Sequence, residues 1–262
     1  MAAQGRDVGR VIFAQDANGN AEWIVLTLAS HVENVAHLVE MWDAGRAYLT
    51  TGSLDLEATR NQLIQAARIH DSAKPMRFRL HYREDSHRPG AWQWEYSFAG
   101  HRFEVFADNP YVQELARLHH EYSVEGITRA VAELRAKGVE HAENLPLDLY
   151  TLEMCDQIEA TVALSALGGE PEARVFMDFH IEKLDSSRFG IDPFPFNQNP
   201  VQLTIEYARL CPPSEQTKQA ETGNDAQRHQ AEQALSKWLV EKLREEQELK
   251  TVEVSLCPLV AV

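Results

Sequence analysis

Leu63-Ile64-Gln65-Ala66-Ala67-Arg68-Ile69-His70-Asp71-Ser72-Ala73-Lys74 is the stretch from which the rest of the chain can be read. Leu63, Ala66, Ala67 and His70 recur at spacings of three and four. That spacing predicts a helix from Asp55 to His70, with the histidine turned to its buried side. An adjacent His-Asp pair at a helix end lets both side chains reach one point. The carboxylate also has two oxygens with which to bridge two ions.

Histidines and an aspartate stand on either side of this pair. Upstream, His31, Val35, Leu38, Val39 and Trp42 follow helical spacing from about Leu28, so His31 also faces inward. His37 is its rival as a ligand, and the Val32-Glu33-Asn34-Val35-Ala36 context favours His31. Downstream come His101, the doublet His119-His120 and Asp156. Pro110 opens a helix expected to run through about Lys137, closed by Gly138. Another helix is expected over Pro146–Leu167, where Leu149, Leu152, Asp156, Ala160, Ala163 and Leu167 form one stripe. A carboxylate in such a stripe is a ligand, a cap or a buried ion-pair partner.

Residues 8–27 read as a hairpin turning at Asn18-Gly19-Asn20. Residues 75–109 contain Pro75, Pro89, Gly90 and Gly100 among crowded aromatics, and read as a long, partly ordered insertion. Two readings apply to it. Arg77, Arg79, Arg83 and Arg102, with the aromatic rings, suit a single-strand nucleic-acid channel. Alternatively, Trp92, Trp94, Tyr96 and Phe98 alternate as a half-buried hairpin strand. After Gly168-Gly169, strands are expected over Arg174–Leu184, Val201–Leu210 and Thr251–Leu256. Residues 212–225 read as a flexible linker, followed by an amphipathic helix burying Ala231, Leu235, Trp238 and Leu239.

The expected fold is therefore mainly α: a helical domain over 1–168 with an N-terminal β-hairpin, then a small α+β region over 169–262. The 262 residues carry a net charge of −15, from 25 basic and 40 acidic residues. A protein that gripped DNA unaided would show a basic surplus, so any nucleic-acid strand is expected to be delivered by a partner or by a local patch. Residues 74–104 run against the overall charge, with Lys74, Arg77, Arg79, Arg83, Arg88 and Arg102. No apolar run has the length of a membrane span, and no signal-peptide core follows Met1, so the expected location is the cytoplasm. Cys155, Cys211 and Cys257 make no zinc pattern and read as reduced thiols. The chain has no phosphate-cradling glycine loop, which gives no reason to expect a nucleotide cofactor.

Imidazole nitrogen mixed with carboxylate oxygen suits manganese, iron, cobalt or nickel, whereas magnesium and calcium prefer oxygen alone. Two such ions side by side activate water and stabilise the attacking and leaving oxygens at phosphorus. The ordered set resembles the HD superfamily of metal-dependent phosphohydrolases over roughly residues 25–168. It is more closely similar to the stand-alone HD nuclease component of type I CRISPR interference. His70-Asp71-Ser72-Ala73-Lys74, Gly100-His101-Arg102-Phe103-Glu104, Leu118-His119-His120-Glu121 and Met154-Cys155-Asp156-Gln157-Ile158 carry that likeness. Ala73 stands where the family usually has glycine.

The resemblance implies a first ion held by His31, His70, Asp71 and Asp156. Asp71 would bridge to a second ion on His101, His119 and His120. Asp71 and Lys74 would be the catalytic pair, with Lys74 on the scissile phosphate. It further implies single-stranded DNA as substrate, and a separate CRISPR helicase and an RNA-guided surveillance complex as partners. The same ligands would also serve hydrolysis of nucleotides or cyclic oligonucleotides. A catalytically inactive binding module, working through residues 170–262, is the reading from outside enzymology.

Overall fold

The computed structural model describes residues 6–42, 56–168 and 200–256, apart from Ala17, His87, Tyr122, Glu140 and Gln247. The strand expected over Arg174–Leu184 lies outside the described residues. Helices are prominent, but a four-stranded and a two-stranded sheet make the architecture α+β rather than plainly helical. By contact the chain divides into two units. Unit 1 holds Met1–Ser30, Ala73–His101 and Ile205–Val252; unit 2 holds His31–Ser72, Arg102–Thr204 and Glu253–Val262. Each unit draws on segments from both sides of residue 168.

In unit 1, β1 (Val8–Gln15) and β2 (Ala21–Thr27) form the expected hairpin, with Phe13 opposite Trp23. Asp16 shapes its turn, accepting hydrogen bonds from the backbone N–H of Asn18 and Asn20, each at 2.8 Å. Along β2 the strand β5 (Val201–Leu210) pairs antiparallel, from Trp23 opposite Leu210 to Leu26 opposite Tyr207. With β6 (Lys250–Leu256) the sheet order is β1-β2-β5-β6, so both late strands join the N-terminal hairpin in one sheet.

The described part of residues 75–109 forms a hairpin with short helical turns rather than the partly ordered insertion expected. A short helix (Lys74–Arg77) leads into β3 (Arg79–Glu84), which pairs antiparallel with β4 (Trp92–Ser97). The tryptophans follow the hairpin reading. Trp94 packs 5.3 Å from buried Trp23 and 5.2 Å from Tyr82, while Trp92 is exposed. The linker expected over 212–225 is also replaced, by a helix over Ser214–Thr222 that buries Thr217 and Ala220. Its polar composition hid good helix formers between Pro213 and Gly223.

Asn224 and Gln227 then form a reciprocal capping box that starts the helix Asp225–Glu245. Leu235, Leu239 and Leu243 of that helix enter the unit 1 core with Trp23, Phe78 and Leu80. The helix also covers the outer edge of β3: Ser236 Oγ accepts from Leu80 N at 2.9 Å, and Glu232 accepts from Tyr82 N at 2.7 Å. Edge backbone that would otherwise face solvent is thereby paired.

Unit 2 is largely helical. Its helices are α1 (Leu28–Met41, in unit 2 from His31), α2 (Leu56–Ile69), α3 (Pro110–Leu118), α4 (Val124–Ala136) and α5 (Leu145–Ala166). Val35, Leu38, Leu63, Tyr111, Leu115 and Leu152 lie in its core at 0–1% exposure. Replacing any of these leucines by alanine would cost about 2–5 kcal/mol. The long helix expected over Pro110–Lys137 is two helices. Ser123 caps α4, its Oγ accepting from Gly126 N at 3.0 Å, and Glu121 accepts from the Ser123 backbone and hydroxyl. The break leaves His119 and His120 on a turn between helices. Among the described residues no helix is long and apolar enough to cross a membrane.

Candidate metal centre

Unit 2 brings together His31, His70, Asp71, His119, His120 and Asp156. The segments that supply them are three helix ends and one helix middle. α2 finishes at Ile69, and the His70 N–H still bonds to Ala66 O, so His70 completes the last turn while Asp71 lies just beyond it. His119 is the C-cap of α3. His31 sits in the first turns of α1, and Asp156 on α5.

The last carbonyls of a helix lack partners within it. Both C-terminal histidines use them. His70 Nδ1 donates to Ala67 O at 2.7 Å, and His119 Nδ1 donates to Ala116 O at 2.6 Å. A carbonyl can only accept, so each Nδ1 carries a proton, and Nε2 is the nitrogen whose lone pair can bind an ion. Those Nε2 atoms are the ones aimed at carboxylates.

His31 Nε2 lies 3.1 Å from Asp71 Oδ2 and 3.3 Å from Asp156 Oδ1. His70 Nε2 lies 3.4 Å from Asp71 Oδ2 and 4.0 Å from Asp156 Oδ1. His119 Nε2 lies 3.6 Å from the other oxygen, Asp71 Oδ1. Asp71 therefore shows one oxygen to His31 and His70 and the second to His119. The rings run on in a chain, His31–His70 at 5.5 Å, His70–His119 at 4.9 Å and His119–His120 at 4.0 Å between centroids.

This arrangement fits a cation. Ligand atoms of His31, His70 and Asp71 all lie within 4.8 Å of one another, and all three residues are buried. Ligands about 2.1 Å from one ion stand about 3.0–3.4 Å apart at right or tetrahedral angles. The buried His70 Nε2 makes no hydrogen bond among the described residues, and its lone pair faces a carboxylate oxygen. Two electron-rich atoms held so close in a low-dielectric interior repel one another unless a positive charge lies between them. The mixed nitrogen and oxygen donors favour intermediate transition metals over magnesium or calcium.

Sequence reasoning missed Glu159. Its Oε2 accepts from His31 Nδ1 at 2.5 Å, with both side chains 2% exposed. Burial pulls the His31 pKa down, but the charge of Glu159 and the hydrogen bonds to Asp156, Asp71 and Glu159 outweigh it and raise it to about 10. Burial works against the Asp156 carboxylate, yet the bond and charge of His31 hold it well below the usual range. Burial lowers His119, opposed by its bond to Asp71. Glu159 follows Asp156 by three residues, one helical turn, which is the signal that could have found it.

The remaining expected residues differ in their surroundings. On α1, 41% of the His37 side chain is exposed, 3.9 Å from Glu40. Lys74 and His101 belong to unit 1. Lys74 is buried with Nζ 5.1 Å from the Phe98 ring centroid. His101, also buried, opens a 3-10 turn (His101–Glu104) and donates Nδ1–H to Phe98 O at 2.8 Å, the same anchoring as His70 and His119. Arg77 and Arg79 are exposed, and Arg79 donates to Phe78 O. Arg83 is engaged with Glu95. In unit 2, Arg102 donates to His120 O at 3.1 Å. Comparison with protein-family models, with curated proteins and with solved structures finds no match for this chain.

Proposed function

We propose that the protein is a metal-dependent nuclease that hydrolyses phosphodiester bonds in single-stranded DNA. The observation that carries the proposal is Asp71, whose Oδ2 faces His31 and His70 and whose Oδ1 faces His119. A carboxylate shared in this way suits a pair of ions, the first on His31, His70, Asp71 and Asp156, the second reached through His119 and His120. Such ions, manganese, nickel, cobalt or iron, would supply an activated water and neutralise charge at the phosphate. The protein's own part is to fix the imidazoles through their Nδ1 protons and to keep the carboxylates ionised in a buried site.

Support for a single-stranded substrate comes from the segment beside the histidine doublet. Phe103 and Phe106 are 59% and 84% exposed. The Arg102 guanidinium lies 4.8 Å from the Phe103 ring centroid while donating to His120 O. Unpaired bases stack on such rings, which a duplex does not offer. The resemblance to the CRISPR nuclease component supports a place beside a separate helicase and an RNA-guided surveillance complex. The net charge of −15 suits a strand delivered by such partners.

The test is cleavage of single-stranded and duplex oligonucleotides with manganese or nickel. Metal-dependent cutting of the single strand, lost in Asp71→Ala, is expected. Cutting that survives Asp71→Ala would overturn the assignment.

A further inference from the structure

We propose that Glu159 is a positioning residue of the metal centre, the anchor that makes Nε2 of His31 a ligand. This rests on the metal reading above. The three histidines sit at different ends of their helices. His70 and His119 stand at helix C-termini, where spare carbonyls accept their Nδ1 protons. His31 stands near the N-terminus of α1. There the carbonyls one turn back are already taken by the helix's own N–H groups. An anchor for His31 Nδ1 has to come from another element, and α5 supplies it as Glu159 Oε2 at 2.5 Å.

The same turn of α5 does two jobs. Asp156 faces the Nε2 side of the His31 ring at 3.3 Å, and Glu159 faces its Nδ1 side. The ring is clamped edge to edge, and its rotation about the Cβ–Cγ bond is stopped with Nε2 toward Asp71. A carboxylate differs from the carbonyls that hold His70 and His119 by its charge, which makes the ligand nitrogen more basic. Second partners of this kind are worth about 10–100-fold in metal affinity.

Two nearly isosteric substitutions separate the hydrogen bond from simple filling of space. Gln at 159 keeps an acceptor for Nδ1–H; Met keeps the volume without one. Manganese affinity is read by electron paramagnetic resonance of free ion, beside thermal unfolding of the metal-free proteins. Glu159→Met is expected to weaken manganese binding about 10–100-fold, and Glu159→Gln to stay within about tenfold of wild type. If Glu159→Met binds as well as Glu159→Gln, Glu159 merely fills space and the inference is overturned alone. If wild type itself binds no manganese, the metal centre falls and this inference with it.

Discussion

His119 Nε2 stands 3.6 Å from Asp71 Oδ1, although the two residues end different helices of the chain. The contact gives Asp71 a second direction, away from the Oδ2 face occupied by His31 and His70. Removal of His119 should then affect one ion more than the other. His119→Ala is expected to drop manganese from about two ions per chain to about one, with His31, His70 and Asp156 still able to hold the remainder. Loss of both ions, or of neither, in titrations of the folded variant would contradict separate roles for the two oxygens.

Chelation should loosen the fold, since an ion bound at about 100 times its Kd stabilises by about 2.7 kcal/mol. For a chain of this size that corresponds to roughly 5–10 °C in Tm. Manganese, cobalt or nickel should restore the lost stability after chelation, and magnesium or calcium should not, because the donor set includes buried imidazoles. Calorimetry in each ion checks this; equal restoration by magnesium would contradict a nitrogen-rich site.

A third expectation concerns Asp148, buried in α5, where it accepts a hydrogen bond from Tyr111 Oη at 2.6 Å. Burial holds its carboxyl well above the usual range. In the unfolded chain it titrates at about 3.9. The folded protein thus retains a proton that the unfolded chain has released. Its contribution is complete below about 3.9 and declines as pH rises toward the folded-state value. Asp148→Asn keeps the acceptor and removes the titration. Its Tm relative to wild type should rise as pH is raised above about 4. A pH-independent difference would contradict a neutral Asp148.

These relationships were unequally legible in the sequence. His31 and His70 follow helices whose apolar spacing is regular, so their inward direction comes from periodicity, and Asp71 follows from its place beside His70 at the helix end. Glu159 did not, because it lies outside the stripe of Leu149, Leu152, Asp156, Ala160, Ala163 and Leu167, and only its position one turn beyond Asp156 points to it. The turn carrying His119 and His120 was concealed by apolar spacing that continues across it, while Ser123 restarts the helix through a local cap. In residues 212–225, low hydrophobicity concealed a helix that needs to bury little more than Thr217 and Ala220. The pairing of β5 with β2 depends on residues far apart in the chain, a register that no local pattern encodes.

Phe103 and Phe106 offer a test of the substrate that leaves the metal alone. Both are more than half exposed, so alanine at either position should disturb stability little. Stacking of one base on one ring contributes about 1–3 kcal/mol. Phe103→Ala with Phe106→Ala should weaken binding of single-stranded oligonucleotides by at least about tenfold while manganese content stays at the wild-type level. Unchanged single-strand affinity, by fluorescence anisotropy, would remove these rings from the substrate path.

The most direct test of the account is the metal content of purified protein, loaded with manganese, dialysed and measured by elemental analysis beside Asp71→Ala. About two ions per wild-type chain, and their loss from the folded variant, are expected. A wild type without metal, or a variant that retains as much, would contradict it.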